Sequence, residues 1–242
     1  MREKIVGILG GMGPEATIDL FQKIVDATPA TRNENHLRII IDNNPKLPDR
    51  QNAILHGGPS PTPAMIESGL LLVNAGADFI ILGANTAHWF QPEMQRAVPV
   101  PILHIIEETA NYVKTALPEI RCVGLLATTG AMKTGMFPKA FEALGIHSLA
   151  PDEKEQTVVM DSIMEFKQNG LIEVARAALL GEVEKLRQRG AQAVIMGCTE
   201  VPIILKNAEA PVPLVDPNGI MADVVVRYAL DGVAPISARM DR

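Results

Sequence analysis

Apolar residues along this chain fall into two kinds of run. Short blocks, Ile5–Leu9, Phe79–Leu82, Cys122–Leu126 and Ala193–Met196, are apolar almost without a break and end in glycine or small polar residues. A continuous apolar block of that length reads as a strand buried on both faces, which is the habit of a parallel sheet. Between the blocks lie longer stretches with apolar residues at helical spacing. One is 63–75, with Met65, Ile66, Leu70 and Val73; others run from Pro14 to about Ala27, Ile105 to Leu117 and Leu171 to Arg189. Further elements are expected as a strand at Leu37–Ile41, a helix at Gly135–Leu144, a short amphipathic piece at Asp161–Lys167 and a last helix at Gly219–Tyr228. Residues 45–63, rich in proline and glycine, read as a long loop, and Pro151–Val159 as a polar connection. Strands alternating with helices predict an α/β protein with mostly parallel sheets flanked by helices.

The pattern repeats. Gly83 and Gly197, each closing an apolar strand, stand 114 positions apart; Gly7 and Gly124 inside the matching earlier strands stand 117 apart. Val98-Pro99-Val100-Pro101-Ile102 matches Ala210-Pro211-Val212-Pro213-Leu214 at an offset of 112. Self-similarity at nearly the same offset is the mark of an internal duplication. It predicts two pseudo-symmetric subdomains, 1–115 and 116–215, with 216–242 packing back on the first. At this offset Cys198 falls opposite Ala84.

Composition narrows the classes. An apolar fraction of 47% supports a packed core, and a net charge of −6 without a basic block argues against nucleic acid as a partner. No apolar run approaches the roughly 20 residues of a membrane span, and Met1-Arg2-Glu3-Lys4 leads into too short a stretch for a signal sequence. The two cysteines read as free thiols in a reducing cytoplasm. The five histidines show no metal-ligand spacing and Cys198 has no Cys or His near it, so no metal is expected.

Chemistry collects at the ends of the predicted strands, where open α/β sheets place their ligands. Gly197-Cys198-Thr199-Glu200 delivers a thiol, a hydroxyl and a carboxylate in succession. A buried structural cysteine is the plain alternative for Cys198, but packing has no need of the Thr199-Glu200 that follows. Gly83-Ala84-Asn85-Thr86-Ala87-His88 has the same form, with His88 either structural or in the site. Gly10-Gly11-Met12-Gly13 before a helix at Pro14 suits an anion, because N–H groups point out of such a turn. That anion is the carboxylate of a small ligand or, with Asp42 at the next strand end, a dinucleotide pyrophosphate; a turn without a ligand is the third reading. The glycines do not form a clean G-x-G-x-x-G, so the carboxylate fits better. Thr128 and Thr129 stand at the corresponding entrance in the second half. Arg50 is able to clamp a carboxylate or to sit solvated in its loop. Cys122 reads as structural.

Together Gly10-Gly11-Met12-Gly13-Pro14-Glu15-Ala16-Thr17, Pro48-Asp49-Arg50, Asn85-Thr86-Ala87-His88 and Gly197-Cys198-Thr199-Glu200 resemble the aspartate/glutamate racemase family. The likeness runs from the first strand to the last helix. It implies a site in a cleft between the two subdomains, no cofactor, a homodimer, and a small amino-acid substrate, with acidic aspartate or glutamate foremost. It also implies two cysteines that exchange a proton with opposite faces of the α-carbon. Cys198 is one; the other position is Ala84, whose methyl group neither takes nor gives a proton. The remaining roles carried over are Asn85, Thr86 and Thr199 on the α-carboxylate and thiol, and Glu200 on the α-ammonium. Met12 and Thr128 supply backbone contacts, and Arg50, with Asp49 and Lys167, serves the substrate side chain. Ala84 leaves three explanations open: a Cys→Ala change, natural or engineered; another group or water acting on that face; or a one-cysteine relative working as a cofactor-free decarboxylase or isomerase. A non-catalytic binder of small acidic ligands is the reading from another class.

Overall fold

The computed structural model describes residues 2–238; Met1 and the last four positions of the expected 216–242 stretch lie outside the described residues. The elements, in order, are β1 (Val6–Gly10), α1 (Pro14–Ala27), β2 (Ile39–Asn43), α2 (Arg50–His56), α3 (Thr62–Asn74), β3 (Phe79–Leu82), α4 (Gln91–Ala97) and α5 (Ile105–Ala116). They continue as β4 (Cys122–Leu126), α6 (Thr129–Thr134), α7 (Met136–Glu142), β5 (His147–Leu149), α8 (Glu153–Asn169) and α9 (Ile172–Gln188). The last are β6 (Ala193–Met196), α10 (Val201–Ile204), β7 (Leu214–Val215) and α11 (Pro217–Asp231). Two short 3₁₀ segments, Asn33–Asn35 and Asn85–Phe90, lie between them.

The chain divides into two compact units. One comprises residues up to Thr109 together with those from Asn218 on; the other is Ala110–Pro217. In the first, the sheet order is β2-β1-β3, all parallel, and Ile102 adds a parallel bridge to Ile80 beyond β3. In the second it is β5-β4-β6-β7, again all parallel. The orders match strand for strand, so the duplication read from the sequence is a duplication of topology. Even the outer edge follows it: Ile80 N–H donates to the Pro101 carbonyl at 2.8 Å and Val194 N–H to the Pro213 carbonyl at 2.9 Å. In each sheet the strands that end at the glycine pair are buried throughout, because helices cover both faces.

Each unit has its own core. Leu9, Met65, Leu72, Ile80 and Met94 pack together in the first; Leu126, Val159, Leu179, Val183 and Val194 in the second. The last helix completes the first core: the Tyr228 ring lies 4.8 Å from Phe79, and Lys4 N–H donates to the Ala229 carbonyl.

Several expected elements differ. The 45–63 segment is not a bare loop; Asp49 caps α2 and Gly57, in the left-handed region, ends it. Pro151–Val159 and Asp161–Lys167 are not a connection and a fragment but the single helix α8. Asp152 and Glu155 form a reciprocal capping box at its start, and Val159, Ser162 and Ile163 bury one face. The expected Gly135–Leu144 helix is α7, with α6 before it and Gly135 at positive φ as the break. Strand β5 was not expected; only three residues long, it carries no clear periodicity. Strand β2 runs two residues beyond the expected Leu37–Ile41.

Candidate active site

In the first unit, β1 gives way to α1 through a turn in which Gly10 and Gly11 leave no room for a Cβ. A Cβ on Gly10 would lie 2.4 Å from Thr17, and one on Gly11, at φ +87°, 2.3 Å from the Asn44 backbone. The turn is closed by its own helix. Gly11 N–H donates to Thr17 Oγ1 at 2.9 Å, and that hydroxyl donates to the Gly13 carbonyl at 3.2 Å. At least one N–H of the expected anion site is therefore engaged within the chain. Met12 is buried, and its carbonyl accepts from Arg50 at 3.3 Å. Arg50, at the first position of α2, also donates to the Pro48 carbonyl at 3.2 Å. Asp49 is exposed and turned to its own helix, its Oδ1 accepting from Asn52 N–H at 2.6 Å. This makes Asp49 a helix cap.

Two residues past the hydrogen-bonding part of that sheet, Ala84 follows β3 and Gly83, and it is buried. Asn85 is buried behind it, and its Oδ1 has no hydrogen-bond partner. Thr86 is half-buried. His88 sits beneath this corner with Nδ1 at 3.1 Å from the Ala84 carbonyl and 3.2 Å from the Asn85 carbonyl. Two acceptors on Nδ1 require the proton to reside there. Burial lowers the His88 pKa to about 4, with the backbone carbonyls pulling it partway back. The His104 ring lies 4.8 Å away; burial, and then His88, lower its pKa to about 3. Both rings are neutral near pH 7, and His88 braces the backbone of the Ala84 corner.

In the second unit, Thr128 caps α6, its Oγ1 accepting from Ala131 N–H at 3.3 Å. Two residues past β6, behind Gly197, stand Cys198, Thr199 and Glu200, all buried. Cys198 Sγ donates to Glu200 Oε2 at 2.8 Å, Thr199 Oγ1 donates to the same oxygen at 3.1 Å, and Lys167 Nζ lies 2.8 Å from Glu200 Oε1. Burial would raise the Glu200 carboxyl; Lys167 and the thiol's hydrogen bond outweigh it and hold it below its ordinary value. Burial first, and then the Glu200 charge, push the Cys198 thiol well above its ordinary value. The structure thus gathers Cys198, Thr199, Glu200 and Lys167, and separately Met12 with Arg50. It ties up Asp49 and Thr128 as caps, and it gives Glu200 an ammonium partner from the chain itself.

Lys167 reaches Glu200 because α8 is one helix. Gln156, Met160, Ile163 and Lys167 recur at helical spacing and share a face. At the other end of that face, Gln156 Nε2 donates to the Ala127 carbonyl at 3.0 Å and to Thr129 Oγ1 at 3.3 Å, leaving a buried Oε1 without a partner. Gln156 went unnoticed in the sequence; the Asp152–Glu155 capping box was the signal that would have put it on a helix. Among the described residues no group of three or more His, Cys, Asp or Glu side chains is placed to hold a metal ion. Likewise, no described helix is long and apolar enough to cross a membrane.

Two parallel α/β units of one topology, with a buried thiol at a strand end, define the class: duplicated, two-unit α/β enzymes that place their chemistry at strand ends. The family model for Asp/Glu/Hydantoin racemase matches residues 9–225, and the chain belongs to that family. It is 28% identical over 228 residues to the broad specificity amino-acid racemase RacX of Bacillus subtilis, covering 92% of this chain and 96% of that protein. Among solved structures it resembles the aspartate racemase of Picrophilus torridus at 30% identity and a TM-score of 0.84, over 93% of this chain and 94% of that one. It also resembles an aspartate racemase homologue of Pyrococcus horikoshii at 26% identity and a TM-score of 0.77, over 93% and 99%. The kinship puts the chain among the isomerases, as an enzyme of the amino-acid racemase type.

Proposed function

We propose that this protein exchanges the α-proton of an acidic amino acid, aspartate or glutamate, without a cofactor, with Cys198 as the group that gives and takes that proton. The observation that carries the reading is the buried Cys198 thiol, two residues past β6 and hydrogen-bonded to a carboxylate. Packing alone does not call for that arrangement. Removing an α-proton needs a positioned acid or base and donors that stabilise the developing enolate. In this reading Asn85, Thr86 and Thr199 hold the α-carboxylate, Met12 and Thr128 contribute from their turns, and Arg50 and Lys167 serve the substrate side chain. Asp49 drops to a supporting part because it caps α2, and Glu200 no longer has the α-ammonium as its main partner. The protein acts as a homodimer in the cytoplasm, where its two free thiols, Cys122 and Cys198, fit a reducing environment.

Ala84 favours a second reading. A methyl group at the position matching Cys198 supplies no proton, so the chain fits a reaction on one face only, with a carbanion formed by decarboxylation or isomerisation and protonated by Cys198. One experiment separates the two. Each enantiomer of aspartate, glutamate and a panel of neutral amino acids is incubated in D₂O and followed by mass and chiral chromatography. Deuterium at the α-carbon that disappears in Cys198→Ala supports the proposal. No exchange in any substrate, or exchange indifferent to Cys198, overturns it. Carbon dioxide released from a malonate-type acid, with no exchange, would favour the second reading.

A further inference from the structure

The Glu200 carboxylate gathers three donors within 3.1 Å: the Cys198 thiol and the Thr199 hydroxyl on Oε2, and the Lys167 ammonium on Oε1. An ionised carboxylate has no proton to offer, so every hydrogen bond it makes requires a hydrogen on the other atom. The short Sγ–Oε2 contact therefore fixes where the thiol's hydrogen points as well as the fact that it is there. Lys167 comes from α8, on the far oxygen, and its charge keeps the carboxylate an acceptor. Cys198 otherwise belongs to the buried apolar cluster that includes Leu126, Val159 and Ile163.

We propose that Glu200 is a positioning residue that holds Cys198 as a protonated thiol and orients its S–H bond, with Lys167 keeping Glu200 ionised. Cys198 then enters the reaction as an acid. This rests on the reading of Cys198 as the proton-transfer group. In the one-face reaction, the bond from the α-carbon to a departing carboxylate breaks and leaves its electron pair on carbon as carbon dioxide is released; the S–H bond then breaks and that pair forms the new C–H bond. The sulfur keeps the S–H pair as thiolate. The thiolate then faces the Glu200 carboxylate, a like-charged neighbour, which favours its return to thiol by taking a proton from the next α-carbon or from water. Burial and the Glu200 charge act in the same direction on the resting thiol.

The test needs no turnover, so it stands apart from the fate of the proposed reaction. Iodoacetamide alkylation of Cys198 is measured against pH, with peptide mapping to separate it from Cys122. The charged groups facing the thiol are Glu200 and Lys167, and each has a variant. Wild type should alkylate slowly at pH 8 and speed up only in strongly alkaline solution. Glu200→Gln should move the profile to lower pH and raise the rate at pH 8 at least about tenfold, one pKa unit being tenfold in thiolate while the thiol dominates. Lys167→Met, which lets Glu200 take up a proton, should move the profile in the same direction as Glu200→Gln and by less. An unchanged profile in Glu200→Gln, or one moved to higher pH, overturns the proposal. If Glu200→Gln does not fold, the Raman S–H band of the wild-type protein decides. A band lowered and broadened relative to a free thiol supports a donated hydrogen, and a free-thiol band or none at neutral pH overturns it.

Discussion

Leu82-Gly83-Ala84-Asn85-Thr86 and Met196-Gly197-Cys198-Thr199-Glu200 occupy the same place in two sheets of the same order, yet they have been equipped differently. Each strand is followed by a glycine, and a short helical segment begins a few residues on, at Asn85 in one and Val201 in the other. After that the two corners part. The second carries a thiol, a hydroxyl and a carboxylate linked by hydrogen bonds and completed by Lys167. The first carries a methyl group, an amide with an unpartnered oxygen, and a neutral histidine that grips the backbone from below. One topology therefore supports a corner with an ionisable, hydrogen-bonded thiol and a corner with none. The backbone of the duplication conserves the location of the chemistry, and the side chains alone decide whether there is any.

The sharpest way to break this contrast is to make the corners alike. Ala84→Cys should raise racemisation of an acidic amino acid by about 10²–10⁴-fold, the usual contribution of a positioned acid or base. Cys198→Ala in that background should remove the gain. Rapid racemisation in the unaltered chain, unmoved by Ala84→Cys, would mean that another group already serves that corner. A second test compares the glycines. A Cβ on Gly197 would lie 2.9 Å from Phe137 and 3.0 Å from Ala127, whereas the nearest neighbours of one on Gly83 are 3.4 Å away. Urea unfolding should find Gly197→Ala destabilised by about 1–3 kcal/mol, as overpacking costs, and Gly83→Ala by clearly less. Equal losses would remove the packing difference between the corners. The smallest effect belongs to Asp49. Asp49→Ala should cost about 1 kcal/mol through the lost cap and leave KM unchanged; a raised KM at full stability would return Asp49 to the substrate.

Strands β1, β3, β4 and β6 were legible because burial leaves an almost uninterrupted apolar run, and their repetition at a near-constant offset made the two-unit plan legible too. Helix α8 was not, since Glu153, Lys154 and Glu155 open it with a solvated turn that resembles a connection until the capping box is noticed. That oversight carried into the site. Lys167 was suspected as a substrate contact, but its pairing with Glu200 depends on a continuous helix. The sequence reading instead matched Glu200 to the substrate's ammonium. Cys198 was legible from the strand end that delivers it, and its pairing with Ala84 from self-comparison, because equivalent positions in a duplicated fold can be aligned without knowing any contact. Arg50 lay beyond reach for the opposite reason: whether a guanidinium meets a ligand or the carbonyls of Met12 and Pro48 depends on where α2 begins.

The division of the chain also sets an order of events in synthesis. The second unit is continuous in sequence, so Lys167, Cys198 and Glu200 and everything that packs around them have been made once Pro217 is added. The first unit is interrupted. Its β1 and β3 emerge early but lack Tyr228 against Phe79, Ala229 against Lys4 and Asn218 against Asp19 until the final helix appears. Domains generally fold as units while the chain is being extended. Here the part translated first is the part completed last, and its apolar strands must stay out of trouble for the time it takes to translate the whole of the other unit.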